Sequence, residues 1–132
     1  MIRLQNVTYL VRDHDHDHDH DEALAFLVDA LGFVVRQDET APDGWRRVVV
    51  GPEGPGAGLI LALAGDAAPV GRQACDDVAS FLETDDFAAR HARMLAHGVV
   101  FREDPRHEPY GTVAIFEDPH GAPWDLIQPP VG

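Results

Sequence analysis

Gly32–Asp38 (GFVVRQD) recurs 66 positions later as Gly98–Asp104 (GVVFRED), and this internal repeat decides the fold. A second pair of blocks follows in the same order at an offset of 67, namely Val48–Gly54 (VVVGPEG) and Ile115–Gly121 (IFEDPHG). Matched blocks in the same order at nearly the same spacing indicate a duplicated structural unit. The two halves of the chain are therefore expected to fold alike.

Each half contains one helical pattern among several short apolar segments rich in β-forming residues. The first half predicts strands at Leu4–Val11, Phe33–Gln37, Trp45–Val50 and Gly58–Leu63, with a helix at Asp21–Leu31. The second half predicts strands at Val78–Glu83, Val99–Glu103, Thr112–Phe116 and Trp124–Gln128, with a helix at Asp86–His97. Gly32 and Gly98 follow the two helices, where a left-handed backbone conformation is favoured. We therefore predict one α+β domain of two tandem βαβββ modules: module one at 1–64, a linker at 65–77 and module two at 78–132.

A run of alternating histidine and aspartate, the insert at 14–20, interrupts the first module. From Asp13 to Gly32 there are 19 positions, whereas from Asp85 to Gly98 there are 13, and the six extra positions match three His-Asp dipeptides. In an extended segment alternate side chains share a face, and imidazoles arranged in this way can chelate zinc, nickel or copper. The candidate ligands are His14, His16, His18 and His20. Because a solvated loop must lose chain entropy to close around an ion, we interpret the run as a tract expansion with adventitious metal affinity.

The composition describes an acidic chain with an ordinary apolar content. Its 132 residues are 45% hydrophobic and 25% charged, as is typical of a globular domain. The net charge of −13, from 23 acidic and 10 basic residues, disfavours nucleic acids and anionic membranes as partners. No apolar stretch is long enough to cross a bilayer, and no signal peptide is visible. The single cysteine, Cys75, cannot form an internal disulfide, so we expect a cytoplasmic location.

Several segments of both modules carry a family resemblance. They are Val7–Asp13, Glu22–Phe26 and Leu31–Phe33 in the first half, and Phe81–Phe87, Ala96–Val99 and Glu117–Leu126 in the second. These segments resemble the vicinal oxygen chelate superfamily, which includes glyoxalase I, bleomycin-resistance proteins and extradiol dioxygenases. The last segment looks like the Asp-Pro-x-Gly turn into the final strand of that family. The resemblance implies curved mixed sheets around a cleft, the glyoxalase/bleomycin resistance/dihydroxybiphenyl dioxygenase fold.

Many members of that superfamily hold a divalent metal on the concave face of the sheets. They use a His or Gln on the first strand of a module and a Glu on the last. By position, these ligands fall on Asn6, near Leu59–Leu61, on Val78 or Ala79, and on Asp125. Aliphatic side chains offer no lone pairs, and two oxygen ligands rarely hold a catalytic transition metal. We therefore expect no cofactor in the cleft, with a divalent metal as the alternative.

The resemblance also places polar side chains on the cleft face. Asn6 and Thr8 alternate on one face of the first strand, and Asp125 lies on the corresponding face of the last strand. A carboxylate in this setting could orient a ligand amine or act as a base, or it could form a satisfied polar pair inside the barrel. Trp124, next to Asp125, should then face the helices.

Aromatic side chains supply the remaining candidates for a ligand-binding cleft. Trp45 and Tyr110 could form the aromatic walls that small-molecule pockets favour, or could serve only in core or interface packing. The leading hypothesis is a homodimeric glyoxalase/bleomycin-resistance/dioxygenase-like protein that binds a small organic molecule, cationic or aromatic, without the family metal. The alternative is a metal-dependent lyase, isomerase or oxygenase with the metal held by Asn6, Asp125 and histidines of the insert or of a partner chain. The sequence leaves open whether any reaction is catalysed.

Overall fold

The computed structural model describes residues 1–13, 20–65 and 67–131. The chain divides into two compact units, Met1–Val70 and Gly71–Gly132, and the boundary falls inside the linker predicted at 65–77. Three of the insert histidines, His14, His16 and His18, lie outside the described residues. Among the described residues no helix is long and apolar enough to span a membrane.

The first unit carries a four-stranded mixed sheet. Its strands are β1 (Asn6–Arg12), β2 (Val34–Thr40), β3 (Arg46–Gly51) and β4 (Gly58–Ala64). They lie in the order β1-β4-β3-β2, with β1 parallel to β4 and the other pairs antiparallel. A parallel pair needs a long crossover, and in this unit the crossover contains a helix and the β2–β3 hairpin. This is the βαβββ arrangement that the repeat predicts.

The second unit repeats the topology of the first. Its strands are β5 (Ser80–Glu83), β6 (Arg106–Glu108), β7 (Gly111–Glu117) and β8 (Pro123–Gln128). They lie in the order β5-β8-β7-β6, again with one parallel pair, β5 and β8. The fold is therefore α+β with two four-stranded mixed sheets, as the sequence predicts.

One helix precedes the second strand of each unit. In the first unit, α1 (Asp21–Leu24) continues as a π-helix over Ala25–Ala30, where the backbone N–H of Leu31 donates to the carbonyl of Phe26 at 3.1 Å. In the second unit, α2 (Phe87–Ala96) begins after Asp86, whose carboxylate accepts the Ala89 N–H at 3.1 Å. The glycines after the helices adopt left-handed conformations, with φ of 81° at Gly32 and 79° at Gly98. Both predicted helices and both glycine positions are confirmed, and the π-helical turn is a feature that the periodicity does not distinguish.

The repeat extends to individual side-chain contacts. The Arg36 guanidinium donates to the carbonyls of Pro52, Gly54 and Gly56 in the β3–β4 turn, at 2.7–3.3 Å. Its aligned counterpart, Arg102, donates to the carbonyl of Gly121 in the equivalent turn at 2.9 Å. Gly54 and Gly121 are also aligned in the repeat. The conserved arginine of the two halves thus holds the same turn in each unit.

One predicted strand, Val99–Glu103, is wrong. Only Phe101 forms a β-bridge in this segment, with Phe116, and the strand of the ladder is β6, farther along the chain. The Glu103 carboxylate accepts the backbone N–H of Ile115 at 3.0 Å, so a side chain takes the place of a backbone acceptor. Pro105 follows shortly afterwards and has no N–H to donate. The ladder is therefore interrupted until Arg106.

Candidate functional site

A cavity of about 640 Å³ in the first unit, which we call the Trp45 cavity, brings together two predicted site residues, Thr8 and Trp45. Its lining combines the apolar run of β4 with polar groups at the tip of the β2–β3 hairpin. The lining residues are Thr8, His20, Thr40, Asp43, Gly44, Trp45, Arg46 and Ile60–Leu63. An apolar wall with a few polar groups is typical of small-molecule pockets, which usually have volumes of about 300–1,000 Å³.

The β2–β3 turn positions the indole of Trp45. The carboxylate of Asp43 accepts the backbone N–H of Trp45 at 2.9 Å, and the backbone N–H of Ala41 donates to the Trp45 carbonyl at 2.7 Å. Gly44 supplies the positive φ of 92° that closes this turn. Trp45 remains 58% exposed, and it lines the cavity together with Asp43.

Charged groups surround the same cavity. Arg46 donates twice to Asp38 at 2.8 Å, and the hydrogen bond from Arg46 lowers the pKa of Asp38 below its ordinary value. His20 is only 3% exposed and lies just before α1, where its carbonyl accepts the Leu24 N–H. The sequence predicts His20 as one of four histidines in a solvated loop, but it lies in the cavity wall.

Asn6 lines a second cavity of the first unit, which we call the Arg3 cavity, also of about 640 Å³. Thr8 and Asn6 alternate on β1 as predicted, but they contribute to different cavities. The residues that line the Arg3 cavity are Arg3, Leu4, Gln5, Asn6, Arg36, Gln37, Glu39, Val49 and Gly56. This lining contains two arginines and a single carboxylate, in a chain whose net charge is −13.

The two remaining predicted site residues, Asp125 and Tyr110, lie in the second unit. Asp125 on β8 is flanked in register by Phe81 on β5 and Ile115 on β7. Its Oδ1 is buried and has no hydrogen-bond partner among the described residues, and burial raises the pKa of the carboxyl above its ordinary value. Arg106 opposes that rise, and its own pKa is raised, first by a hydrogen bond to Glu103 and then by one to Tyr110.

Trp124, the neighbour of Asp125, faces the opposite side of the sheet as predicted. Its ring lies 5.9 Å from that of Phe116 in a row of rings that continues through Phe101 to His91 on α2. Its indole N–H donates to the buried carboxylate of Asp118 at 3.0 Å. Asp125 therefore lies on the sheet face away from α2.

The described residues do not supply the ligand set of the family's metal site. Leu59–Leu61 and the pair Val78 and Ala79 have no donor atoms, and no three His, Cys, Asp or Glu side chains come together in the described part of the chain. A cation already lies near Asn6. The Asn6 Oδ1 and the Arg36 Nη1 are both 3.1 Å from the point where a Cβ on Gly58 would stand. A divalent metal on Asn6 would therefore meet a permanent positive charge.

Sequence reasoning missed Arg3, Arg36 and Gln37 as cavity residues. The repeat marks Arg36 by its alignment with Arg102, but that alignment indicates a shared structural role. Arg3 precedes β1, in a segment without periodicity, so no pattern in the sequence distinguished it.

Comparison with known proteins identifies the family. Residues 17–126 match the model of the Glyoxalase/Bleomycin resistance protein/Dioxygenase superfamily, and the chain belongs to this superfamily. An uncharacterized protein of Shewanella frigidimarina (strain NCIMB 400) is 42% identical over 112 residues, which are 81% of this chain and 83% of the relative.

Two solved structures from Streptomyces sp. CB03234 are among the similar ones. TnmS3, an antibiotic binding protein, is 29% identical with a TM-score of 0.77 and 98% of each chain covered. A glyoxalase/bleomycin resistance protein is also 29% identical, with a TM-score of 0.69 and coverage of 94% of this chain and 99% of the other.

Proposed function

We propose that this protein binds a small aromatic or cationic organic molecule in the Trp45 cavity, without the family metal. The observation that carries the proposal is that the exposed Trp45 lines one cavity with the apolar run of β4 and with Asp43, whose carboxylate accepts the backbone N–H of Trp45. An indole face attracts aromatic rings and cations, and a neighbouring carboxylate adds attraction for an ammonium group.

The charges of the cavity favour a cation over an anion. Arg46 is neutralised by its bidentate contact with Asp38, whereas Asp43 forms no ion pair within the described residues. The net charge of −13 adds a long-range attraction for cations. An antibiotic carrying an aromatic ring and an amine fits this description, and binding by sequestration is supported by the similarity to the antibiotic binding protein TnmS3.

The metal-free part of the proposal rests on the donor atoms. Asn6 lies beside the Arg36 guanidinium. Two other positions that correspond to metal ligands of the family, near Leu59–Leu61 and at Val78 or Ala79, are aliphatic. A metal-dependent lyase, isomerase or oxygenase would need a fuller ligand set. We extend the proposal to a cytoplasmic homodimer, because β1 and β2 end one sheet and β5 and β6 the other, and edge strands are usually covered.

The test uses the two indole N–H signals in ¹H–¹⁵N NMR spectra of the EDTA-treated protein. The probes are phenethylammonium, its neutral analogue 2-phenylethanol, and bleomycin. We expect phenethylammonium to shift the Trp45 signal saturably, while the buried Trp124 signal stays in place because it is held by Asp118. Asp43→Asn keeps the acceptor for the backbone N–H of Trp45 but removes the charge. It should weaken the binding of phenethylammonium by about threefold to tenfold without affecting the binding of 2-phenylethanol.

Trp45→Leu should abolish binding of every probe. The matched control is Val100→Ala, which changes an apolar side chain of the other unit that is likewise 58% exposed. The proposal fails if no probe gives a saturable shift, or if Val100→Ala weakens binding as much as Trp45→Leu.

A further inference from the structure

We propose that the Arg3 cavity is a recognition site for a small carboxylate, separate from the Trp45 cavity and outside the proposed function. The lining is electropositive although the chain as a whole is strongly acidic. Arg3 and Arg36 stand against Glu39, which leaves one positive charge on the lining and matches a monoanion rather than a dianion. A carboxylate is the anion whose planar geometry a guanidinium matches with two hydrogen bonds.

Arg3 is the cation available to such a ligand. Its side chain makes no hydrogen bond or ion pair within the described residues, whereas Arg36 is engaged by three turn carbonyls. Arg3 precedes Gln5 by two residues, and the Gln5 carbonyl accepts the backbone N–H of Gly58 at 3.0 Å. Arg3 is itself exposed, so its guanidinium is accessible to a ligand in the cavity that it lines.

Two side-chain amides complete the set of donors. The Gln37 Oε1 accepts the Arg47 Nε–H at 2.8 Å, so the NH₂ group of Gln37 is left to donate. Asn6 contributes a second amide to the same lining, beside Gly58. An electropositive cavity with directed N–H donors is suited to an anion.

The experiment compares three probes of nearly equal shape, benzoate, benzamide and benzamidine, by NMR titration of the full chain at low ionic strength. We expect saturable shifts of Gln37 and Asn6 amide signals with benzoate and none with benzamide or benzamidine. Arg3→Gln should weaken the binding of benzoate by about tenfold, because one charge-assisted contact is lost. Arg3 lies outside the secondary structure, so this variant should fold, and its circular dichroism spectrum should match that of the wild type.

The matched control is Arg90→Gln, which makes the same charge change at an exposed position of α2 in the other unit. It should leave the benzoate affinity within twofold. Equal weakening by both variants, or equal binding of benzoate and benzamide, would overturn the proposal. Benzoate titration of Trp45→Leu separates the two sites: persistence of binding is the expected result, and its loss would assign the anion to the Trp45 cavity.

Discussion

Asp118 should contribute more stability than any exposed carboxylate of the second unit. It is 5% exposed, and its two carboxylate oxygens accept three hydrogen bonds. The donors are the backbone N–H groups of His120 and Ala122 at 2.8 and 2.9 Å and the Trp124 indole at 3.0 Å. These bonds hold the turn from β7 into β8, the strand that carries Asp125.

The expected cost of Asp118→Ala follows from those donors. Each hydrogen bond to a charged acceptor contributes about 1.5–3 kcal/mol, and a buried donor left without an acceptor costs about 1–3 kcal/mol. His120 and Ala122 are half-buried residues whose backbone N–H groups water can reach in the variant, but Trp124 is 2% exposed and its indole N–H cannot be rehydrated. The free energy of unfolding should therefore fall by about 3–5 kcal/mol.

Urea unfolding followed by far-UV circular dichroism measures this change at constant m value. Asp118→Asn keeps an oxygen for the two backbone donors but turns an NH₂ group toward the indole, and it should cost about 1–2 kcal/mol. Adding Trp124→Phe removes the opposing N–H, so the double variant should lose less than the sum of the single changes. The exposed Asp104→Ala is the control, with a change within about 0.5 kcal/mol. A loss below 1 kcal/mol for Asp118→Ala would refute the reasoning.

Two further predictions concern stability. Arg36→Met and Arg102→Met should each lower the free energy of unfolding by about 1 kcal/mol. The double variant should lose the sum of the two changes, because the two turns are in separate units. Urea unfolding of the three variants measures these losses, and a strongly non-additive result would contradict the prediction. Burial raises the pKa of Asp125 above 3.8, so ionisation costs the folded state stability as the pH rises through that raised pKa. Asp125→Asn should therefore be more stable than the wild type at pH 7, and this advantage should disappear as the pH falls below 3.8. Urea unfolding at the two pH values measures it. An advantage that persists in acid would show that the stability difference does not come from ionisation of Asp125.

The architecture was predictable because the chain contains two copies of one module. Alignment of Gly32 with Gly98 placed both helix ends, and alternation on β1 separated buried Tyr9 and Val11 from exposed Thr8. Periodicity failed at Val99–Glu103 because a side-chain carboxylate replaces a backbone acceptor there. Such a replacement depends on a tertiary contact and leaves no periodic signal.

The candidate site was less accessible from the sequence. Thr8 and Trp45 do line one cavity, but Asn6 lies in another, and Asp125 and Tyr110 belong to the second unit. Alternation along a strand predicts which face a side chain occupies, and it carries no information on how loops divide that face into cavities. Arg36 lies beside Asn6 because its guanidinium passes over Gly51 and Gly58, where a Cβ would stand within 2.6–3.1 Å of it. This close approach depends on the folded hairpin and leaves no signal in the sequence.

The central claim is that the Trp45 cavity binds its ligand without a metal. The measurement that tests it most directly is the phenethylammonium dissociation constant, obtained by NMR after EDTA treatment and again with added zinc, for the wild type and a variant lacking residues 14–19. Elemental analysis of both proteins, purified without an affinity tag, accompanies the titrations. We expect one dissociation constant in all four titrations. Binding that appears only with about one zinc per chain, and that Asp125→Ala abolishes, would contradict it and indicate a metal-dependent enzyme.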